Sequence, residues 1–271
     1  MKKKIAISIS GDILKQVDDN IDWNIIKNRS SSVESILRKW LNLKDDIWAL
    51  IIAHDNNWDA WFYPLDVPKV LIKVDWKTLL EKHLESIKNA NIKKVIISVW
   101  HEKDQIIDFI KNKNLSLEVE FLDVSNDDLS LSIISKAKKI LSTNKVLTIL
   151  WDNYFYPLDL TDFISYHNSN KKDISIVVKN VTSTVNNWNL KIQWNDIIEF
   201  NERLSTKDDI SNLVNAWIYL IDSNVIPEVW KNLKIESDFF PYFVKNKKVK
   251  AYFHYWKWFH IQSDKVLNLF K

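Results

Sequence analysis

Residues 47–80, IWALIIAHDNNWDAWFYPLDVPKVLIKVDWKTLL, decide how this chain is read. A short apolar run (Leu50, Ile51, Ile52) leads into a long polar loop, then Pro64-Leu65-Asp66, Pro68-Lys69, a second apolar run and a turn that opens a helix at Lys77. A strand feeding a loop and then a helix is the phosphate-cradling arrangement of α/β proteins, because loop amides and the helix N-terminus together favour an anion. Such a loop normally needs glycine. This one has none.

The whole chain shares that deficit. Its 271 residues hold Gly 1 and Trp 14, where ordinary usage of about 7% would give roughly 19 glycines. Adding the tryptophans to the lone glycine restores a near-ordinary glycine content and leaves almost no tryptophan. The positions agree with the sum. Trp58, Trp76, Trp188, Trp194, Trp256 and Trp258 stand beside Asn, Asp or Lys in turn-like contexts, where a positive φ is wanted and a bulky indole is not. This is the signature of a gene whose UGA codons mean glycine, read with a code in which UGA means tryptophan. The alternative is a truly Trp-rich chain, and UGG codons at these positions would establish it.

Length and a hydrophobic content of 46% allow a sizeable core in one large or two modest domains. Cys 0 excludes disulfides, thiolate metal sites and a cysteine nucleophile. The six histidines show no HxxxH spacing. No apolar run approaches the ~20 residues of a membrane span, and Ile5–Ile9 is too short for a signal-peptide core. The expectation is a cytoplasmic protein with no membrane partner. The net charge of +3 is carried by residues 1–45, the remainder being neutral, so a polyanion would meet the N-terminus first.

In that N-terminal stretch, Ile5, Ile7 and Ile9 alternate with Ala6, Ser8 and Ser10, the period-2 pattern of a strand with one apolar face. Ile13, Val17 and Ile21 then recur at helical spacing. Asn28-Arg29-Ser30 precedes a second helix with Val33, Ile36, Leu37 and Leu41 on one face, and Ser31 with Glu34 has capping-box spacing. Strand, helix, helix in so few residues cannot close a core alone. Residues 3–42 resemble the ribbon-helix-helix family of DNA-binding proteins. The resemblance implies a homodimer whose paired strands turn Lys4, Ala6 and Ser8 to the major groove, with Arg29 and Ser30 clamping a phosphate. Ala6 is a poor base reader, so a module that only dimerises stands beside one that also binds DNA.

From residue 46 the pattern becomes alternating strands and helices. Apolar runs at Ala49–Ala53, Val95–Val99, Leu117–Phe121, Val146–Leu150, Ile174–Val178 and Ile218–Ile221 are separated by helical stretches such as Lys77–Ala90, Asp104–Asn112, Leu131–Leu141 and Leu160–Asn168. This predicts an α/β fold with a mostly parallel sheet and helices on both faces, binding its ligand at the strands' C-terminal ends. The expected organisation is a module over 1–45 and a second domain over 46–271.

With tryptophan read as glycine, several punctuated stretches fall in one order. Pro64-Leu65-Asp66 with Pro68-Lys69, Val74-Asp75-Trp76-Lys77, Val95–Trp100, Leu150-Trp151-Asp152-Asn153, Phe200-Asn201-Glu202-Arg203 and Val214-Asn215-Ala216-Trp217 resemble the segments of the sugar-1-phosphate nucleotidyltransferases, over residues 47–270. That resemblance implies the Rossmann-like nucleotidyltransferase fold. It also implies a reaction in which a sugar 1-phosphate oxygen attacks the α-phosphorus of a nucleoside triphosphate and pyrophosphate leaves. By the same resemblance Lys69 neutralises phosphate charge and Asp152 holds Mg²⁺, a hard cation suited to carboxylate and phosphate oxygens. His260 stands where the family has a second metal-binding Asp. Asn153, Glu202, Arg203, Asn215 and Trp217 would contact the sugar and its phosphate. The residues taken alone leave plainer readings: Lys69 a solvated loop charge, Asp152-Asn153 a strand-end turn, Glu202-Arg203 a surface pair.

The sequence departs from the family in its first loop, where the triphosphate-binding Arg is missing and Asp55 and Asp59 bring negative charge. The family's Gly-Thr-Ala-Gly loop is matched only by Leu129-Ser130-Leu131-Ser132. Two functions therefore stand: a Mg²⁺-dependent enzyme that makes a nucleotide sugar, or a catalytically weak ligand sensor that regulates transcription through the N-terminal module.

Overall fold

The structure is a computed structural model that describes residues 8–19, 21, 29–40, 47–53, 68–100, 103–125, 127–140, 143–156, 158–182, 187–201, 211–227, 233–255 and 257–261. Lys4, Ala6, Glu202, Arg203 and the loop carrying Asp55, Asp59 and Pro64-Leu65-Asp66 lie outside the described residues. Contacts divide the chain into Met1–Asp45 and Asp46–Lys271.

In the first unit, α1 (Gly11–Asp19) and α2 (Arg29–Trp40) form the two helices expected from the spacing. Ser8, Ile9 and Ser10 are irregular and exposed, so the described end of the expected strand is not a strand. Val17 is buried, and its carbonyl accepts from the Ser32 hydroxyl at 2.7 Å.

The second unit is organised by β1 (Ile47–Ile52), every residue of which is buried. Side chains alternate across a strand, so Trp48, Leu50 and Ile52 enter one core while Ile47, Ala49 and Ile51 enter the other. A strand covered on both faces reads as an unbroken apolar run, and parallel sheets are covered in this way. After β1 come a small hairpin of β2 (Lys73–Val74) and β3 (Lys77–Thr78), then α3 (Leu79–Asn89), β4 (Lys94–Val99), α4 (Lys103–Lys111), β5 (Glu118–Asp123), α5 (Ser130–Ile140) and β6 (Lys145–Leu150). Thr78 caps α3 in a full capping box with Glu81, and Leu80, Leu84 and Ile87 pack onto the sheet. The remaining elements are β7 (Asn153–Tyr156), α6 (Leu160–Asn170), β8 (Ile174–Asn180), β9 (Asn189–Gln193), β10 (Asp196–Asn201), β11 (Leu213–Asp222), α7 (Phe240–Lys245) after a π-turn over Ile235–Phe239, β12 (Val249–Phe253) and β13 (Lys257–His260).

The main sheet has nine strands in the order β5-β4-β1-β6-β11-β8-β12-β10-β9. Only β5, β4, β1 and β6 form an all-parallel block. The expectation of a mostly parallel sheet is thus corrected to a mixed one: β11 lies antiparallel between β6 and β8, and the β9–β10 hairpin closes the far edge antiparallel to β12. For β9 and β10 the physical reason is connection length, since a two-residue turn joins antiparallel strands without a crossover helix. Helices cover both faces, with α3, α4 and α6 residues in one core and α5 and α7 residues in the other.

Candidate active site

The chain leaves β1 toward β4 and β5, and α5 on the opposite face returns it to β6 at the other side of β1. Between β1 and β6 the strand order reverses, and in open α/β sheets ligands bind beyond the strands' C-terminal ends at such a point. Asp152 stands there, in the turn between β6 and β7, immediately after Trp151, whose N–H donates to the Ile52 carbonyl at 3.1 Å.

Three groups fix Asp152. Its Oδ2 lies 2.6 Å from His260 Nε2, with the imidazole as donor. Its Oδ1 accepts from the Asn153 side-chain amide at 2.9 Å. Its carbonyl accepts from the Ile261 N–H at 2.8 Å, and β13 pairs with β7 so that His260 faces Asn153 across the ladder. The Asn153 side-chain oxygen Oδ1 accepts from the Trp258 indole N–H at 3.1 Å. Asn153, itself fully buried, therefore ties the turn to β13.

Lys69 comes to the same place from the short 3₁₀ turn Lys69–Leu71, its ammonium 5.2 Å from the centre of the Trp151 ring. Trp217 arrives from β11: its ring lies 4.4 Å from the His260 ring and 6.0 Å from that of Trp258. Lys69, Asp152, Asn153, Trp217 and His260 are therefore brought together. Asn215 stands behind them rather than among them. It has no exposed surface, accepts the Trp217 N–H at 2.9 Å and donates to the Tyr219 hydroxyl at 2.7 Å, which in turn donates to buried Glu236 at 3.1 Å. Burial, then the Glu236 charge, pushes the Tyr219 hydroxyl well above its ordinary pKa, so it stays a donor.

Two titratable groups escaped the sequence reading, and the first of them touches the Asp152 turn. His83, fully buried on the apolar stripe of α3 and stacked on Phe155, donates to the Trp151 carbonyl at 3.2 Å. Desolvation lowers its pKa to about 4, keeping the ring neutral. A histidine at helical spacing with Leu80, Leu84 and Ile87 was the available signal. Lys179 lies near the C-terminal end of β8, opposite Val214 of β11, and partial desolvation lowers its pKa. A cation one residue beyond the apolar run Ile174–Val178 was the signal there. Of the expected DNA-contacting residues, Ser8 and Ser30 are exposed, and Arg29 holds Asp18 through a two-pronged pair at 2.7 and 2.9 Å.

A mixed α/β sheet thus gathers a carboxylate, an imidazole and a lysine at its switch point. The chain belongs to the family described as Nucleotidyl transferase, whose pattern matches residues 63–260. A probable mannose-1-phosphate guanylyltransferase 3 of Arabidopsis thaliana is 21% identical over 193 residues, which cover 68% of this chain and 58% of that protein. The chain thus spans little more than half of that relative's length. A D-glycero-alpha-D-manno-heptose 1-phosphate guanylyltransferase of Campylobacter jejuni is 22% identical over 207 residues, covering 70% of this chain and 90% of the relative. Among solved structures, HddC from Yersinia pseudotuberculosis superposes with a TM-score of 0.70 at 21% identity, covering 82% of this chain and 97% of that one. A putative glucose-1-phosphate thymidylyltransferase from Bacillus anthracis reaches 0.73 at 17% identity, covering 82% and 93%. These superpositions establish the fold. Among the described residues no helix is long and apolar enough to cross a membrane.

Proposed function

We propose that this chain joins a nucleoside triphosphate to a sugar 1-phosphate, giving a nucleotide sugar and pyrophosphate. The observation that carries the proposal is Asp152 fixed at the switch point with Lys69 beside it. In the reaction a sugar-phosphate oxygen forms a bond to the α-phosphorus while the bond from that phosphorus to the bridging oxygen of the β-phosphate breaks. The protein's task is to gather and orient negative charge. Lys69 offers a cation to phosphate oxygens, and Asn153 keeps the turn in register. Glu202 and Arg203 are assigned to the sugar hydroxyls and the sugar phosphate.

The donor set at Asp152 suits one Mg²⁺, which commonly rests on one or two carboxylates and takes its other ligands from water and substrate phosphates. Among the described residues no group of three or more acidic, histidine or cysteine side chains surrounds such an ion. Asp152 would hold it, and when bound it would neutralise charge developing on the phosphates. His260, expected as a second ligand, is assigned instead to orienting Asp152, because a hard cation prefers oxygen and the imidazole already donates to the carboxylate.

For the N-terminal unit we propose self-association through Ile9, Ile13, Ile36 and Leu37, all exposed, because so short a unit cannot bury its own core. DNA binding by this unit, and with it the ligand-sensing regulator, is the second reading. Any phosphate clamp formed by Arg29 must first displace Asp18. Pyrophosphate release over a grid of nucleoside triphosphates and sugar 1-phosphates, with Mg²⁺, tests the enzyme. Release with one pair names the substrates. Silence from a folded dimer that binds duplex DNA with a steep salt dependence favours the regulator.

A further inference from the structure

The backbone conformation of the tryptophans carries an inference about what the cell itself makes. Among the described residues the positive-φ positions are Asp75, Trp76, Asn91, Lys171, Trp194, Asn195, Trp217 and Lys247. Asn is a usual occupant of this region, and Asp tolerates it better than most. Tryptophan is not, because its Cβ crowds the following carbonyl and its bulk gains nothing there.

Trp76 and Trp194 sit in two-residue hairpin turns. Asp75 and Trp76, at φ 49° and 70°, join β2 to β3; Trp194 and Asn195, at φ 52° and 66°, join β9 to β10. Positive φ at both central positions is the type I′ hairpin, which selects Asn-Gly, Asp-Gly and similar pairs. With glycine these turns read Asp-Gly and Gly-Asn. The indoles do not repay the conformation by packing, since Trp76 is 96% and Trp194 88% exposed.

Trp217 has the same backbone in a different setting. At φ 53° it occupies the irregular stretch between Asn215 and Tyr219 where β11 shifts register against β8. There its indole covers His260, beside Asp152. Trp151 lies under Lys69 and Trp258 stacks on Trp217. On the proposed function, these three indoles fill the space beside Asp152 where a sugar phosphate must lie.

We infer that positions 76, 194 and 217 are glycine in the protein as its own cell makes it, and that positions 151 and 258 follow by the same UGA decoding. Trp188 and Trp258 show that a turn-like sequence context alone is a poor guide. Both are at least partly buried, neither has positive φ, and Trp258 lies within β13 rather than in a turn. The argument therefore rests on the three left-handed sites.

The deciding experiment is tandem mass spectrometry of peptides from the native protein, purified from cells that carry the gene. Peptides spanning 76, 194 and 217 are expected to be lighter by the indolylmethyl group at each position; tryptophan at these positions overturns the inference. An independent measurement compares the Trp-containing chain with Trp76→Gly and Trp194→Gly. Each variant is expected to raise the folding equilibrium constant about tenfold, and no gain in either overturns the backbone argument. Neither readout involves substrate. If glycine is found and the Trp151→Gly/Trp217→Gly/Trp258→Gly chain still releases no pyrophosphate, the proposed function fails while the decoding inference stands.

Discussion

The two halves of the nine-stranded sheet are built by different rules. In β5-β4-β1-β6 every neighbour is parallel and every connection contains a helix. In β11-β8-β12-β10-β9 most neighbours are antiparallel, and the β9–β10 hairpin closes through left-handed residues. A crossover needs a capped, striped helix, which ordinary side chains supply. A tight hairpin needs positive φ, which glycine supplies most cheaply. Tryptophan at such turns leaves the strand and helix signals of the parallel half readable and hides the hairpins, at Trp76 between β2 and β3 as at Trp194 between β9 and β10. Asp152 and His260 stand at the seam, one after β6 and the other on β13.

The largest expected effect breaks that seam. Asp152→Asn keeps the shape but removes the charge proposed to face Mg²⁺ and the phosphates. Pyrophosphate release should fall on the order of 10²- to 10³-fold in kcat, the usual loss when a group stabilising transition-state charge is removed. Unchanged turnover in a steady-state assay would separate the carboxylate from the chemistry.

The next effect belongs to the parallel half. His83 is neutral in the folded protein, with a pKa near 4 against an ordinary 6.5. The unfolded chain binds a proton as pH falls through 6.5, while the folded chain resists it until about 4. Stability is therefore fully present above the upper value and is lost as pH falls toward the lower one, by about 3 kcal/mol in total. Urea unfolding at stepped pH should show this slope in the wild type and a shallower one in His83→Gln. Equal slopes would mean that the ring is solvated.

How much was legible follows the same division. The strands at 47–52, 94–99 and 145–150 were read within two residues, because strands buried on both faces are unbroken apolar runs. β9, β10, β12 and β13 were missed; they are short and half polar, and the turn that pairs β9 with β10 carries Trp194 in place of a recognisable signal. At the candidate site, motif order gathers Asp152, Asn153 and Lys69, and the structure places the three in one neighbourhood. The burial of Asn215 was not legible, because nothing in Val214-Asn215-Ala216 reveals that Tyr219 and Glu236 wait behind it.

That buried relay gives a prediction for the antiparallel half. Tyr219→Phe leaves the Asn215 amide and the Glu236 carboxylate each short of a partner inside the core. Removing a buried hydrogen-bonding partner costs about 1–3 kcal/mol, so a loss of about 2 kcal/mol is expected in chemical denaturation. The Asn215 side-chain oxygen Oδ1 would then be held less firmly against the Trp217 backbone N–H, and activity should fall further than stability alone explains. A variant as stable and active as wild type would show that water replaces the hydroxyl.

The smallest effect returns to the parallel half. Thr78 caps α3 by accepting the Glu81 N–H at 3.1 Å, while Glu81 accepts the Thr78 N–H at 2.8 Å. Thr78→Ala removes one side of this exchange and should cost about 1 kcal/mol. Glu81 also pairs with Lys113 at 2.7 Å, which keeps the carboxylate in place after the hydroxyl is gone, so the loss should not exceed that of a simple cap. α3 carries His83, and His83 holds the Trp151 carbonyl beside Asp152. If the parallel half is as rigid as its burial indicates, the cap's loss frays one helix end and leaves kcat unchanged. A fall in kcat with little change in stability would instead mean that the start of α3 transmits its position to Asp152, and the two halves would then be coupled through His83.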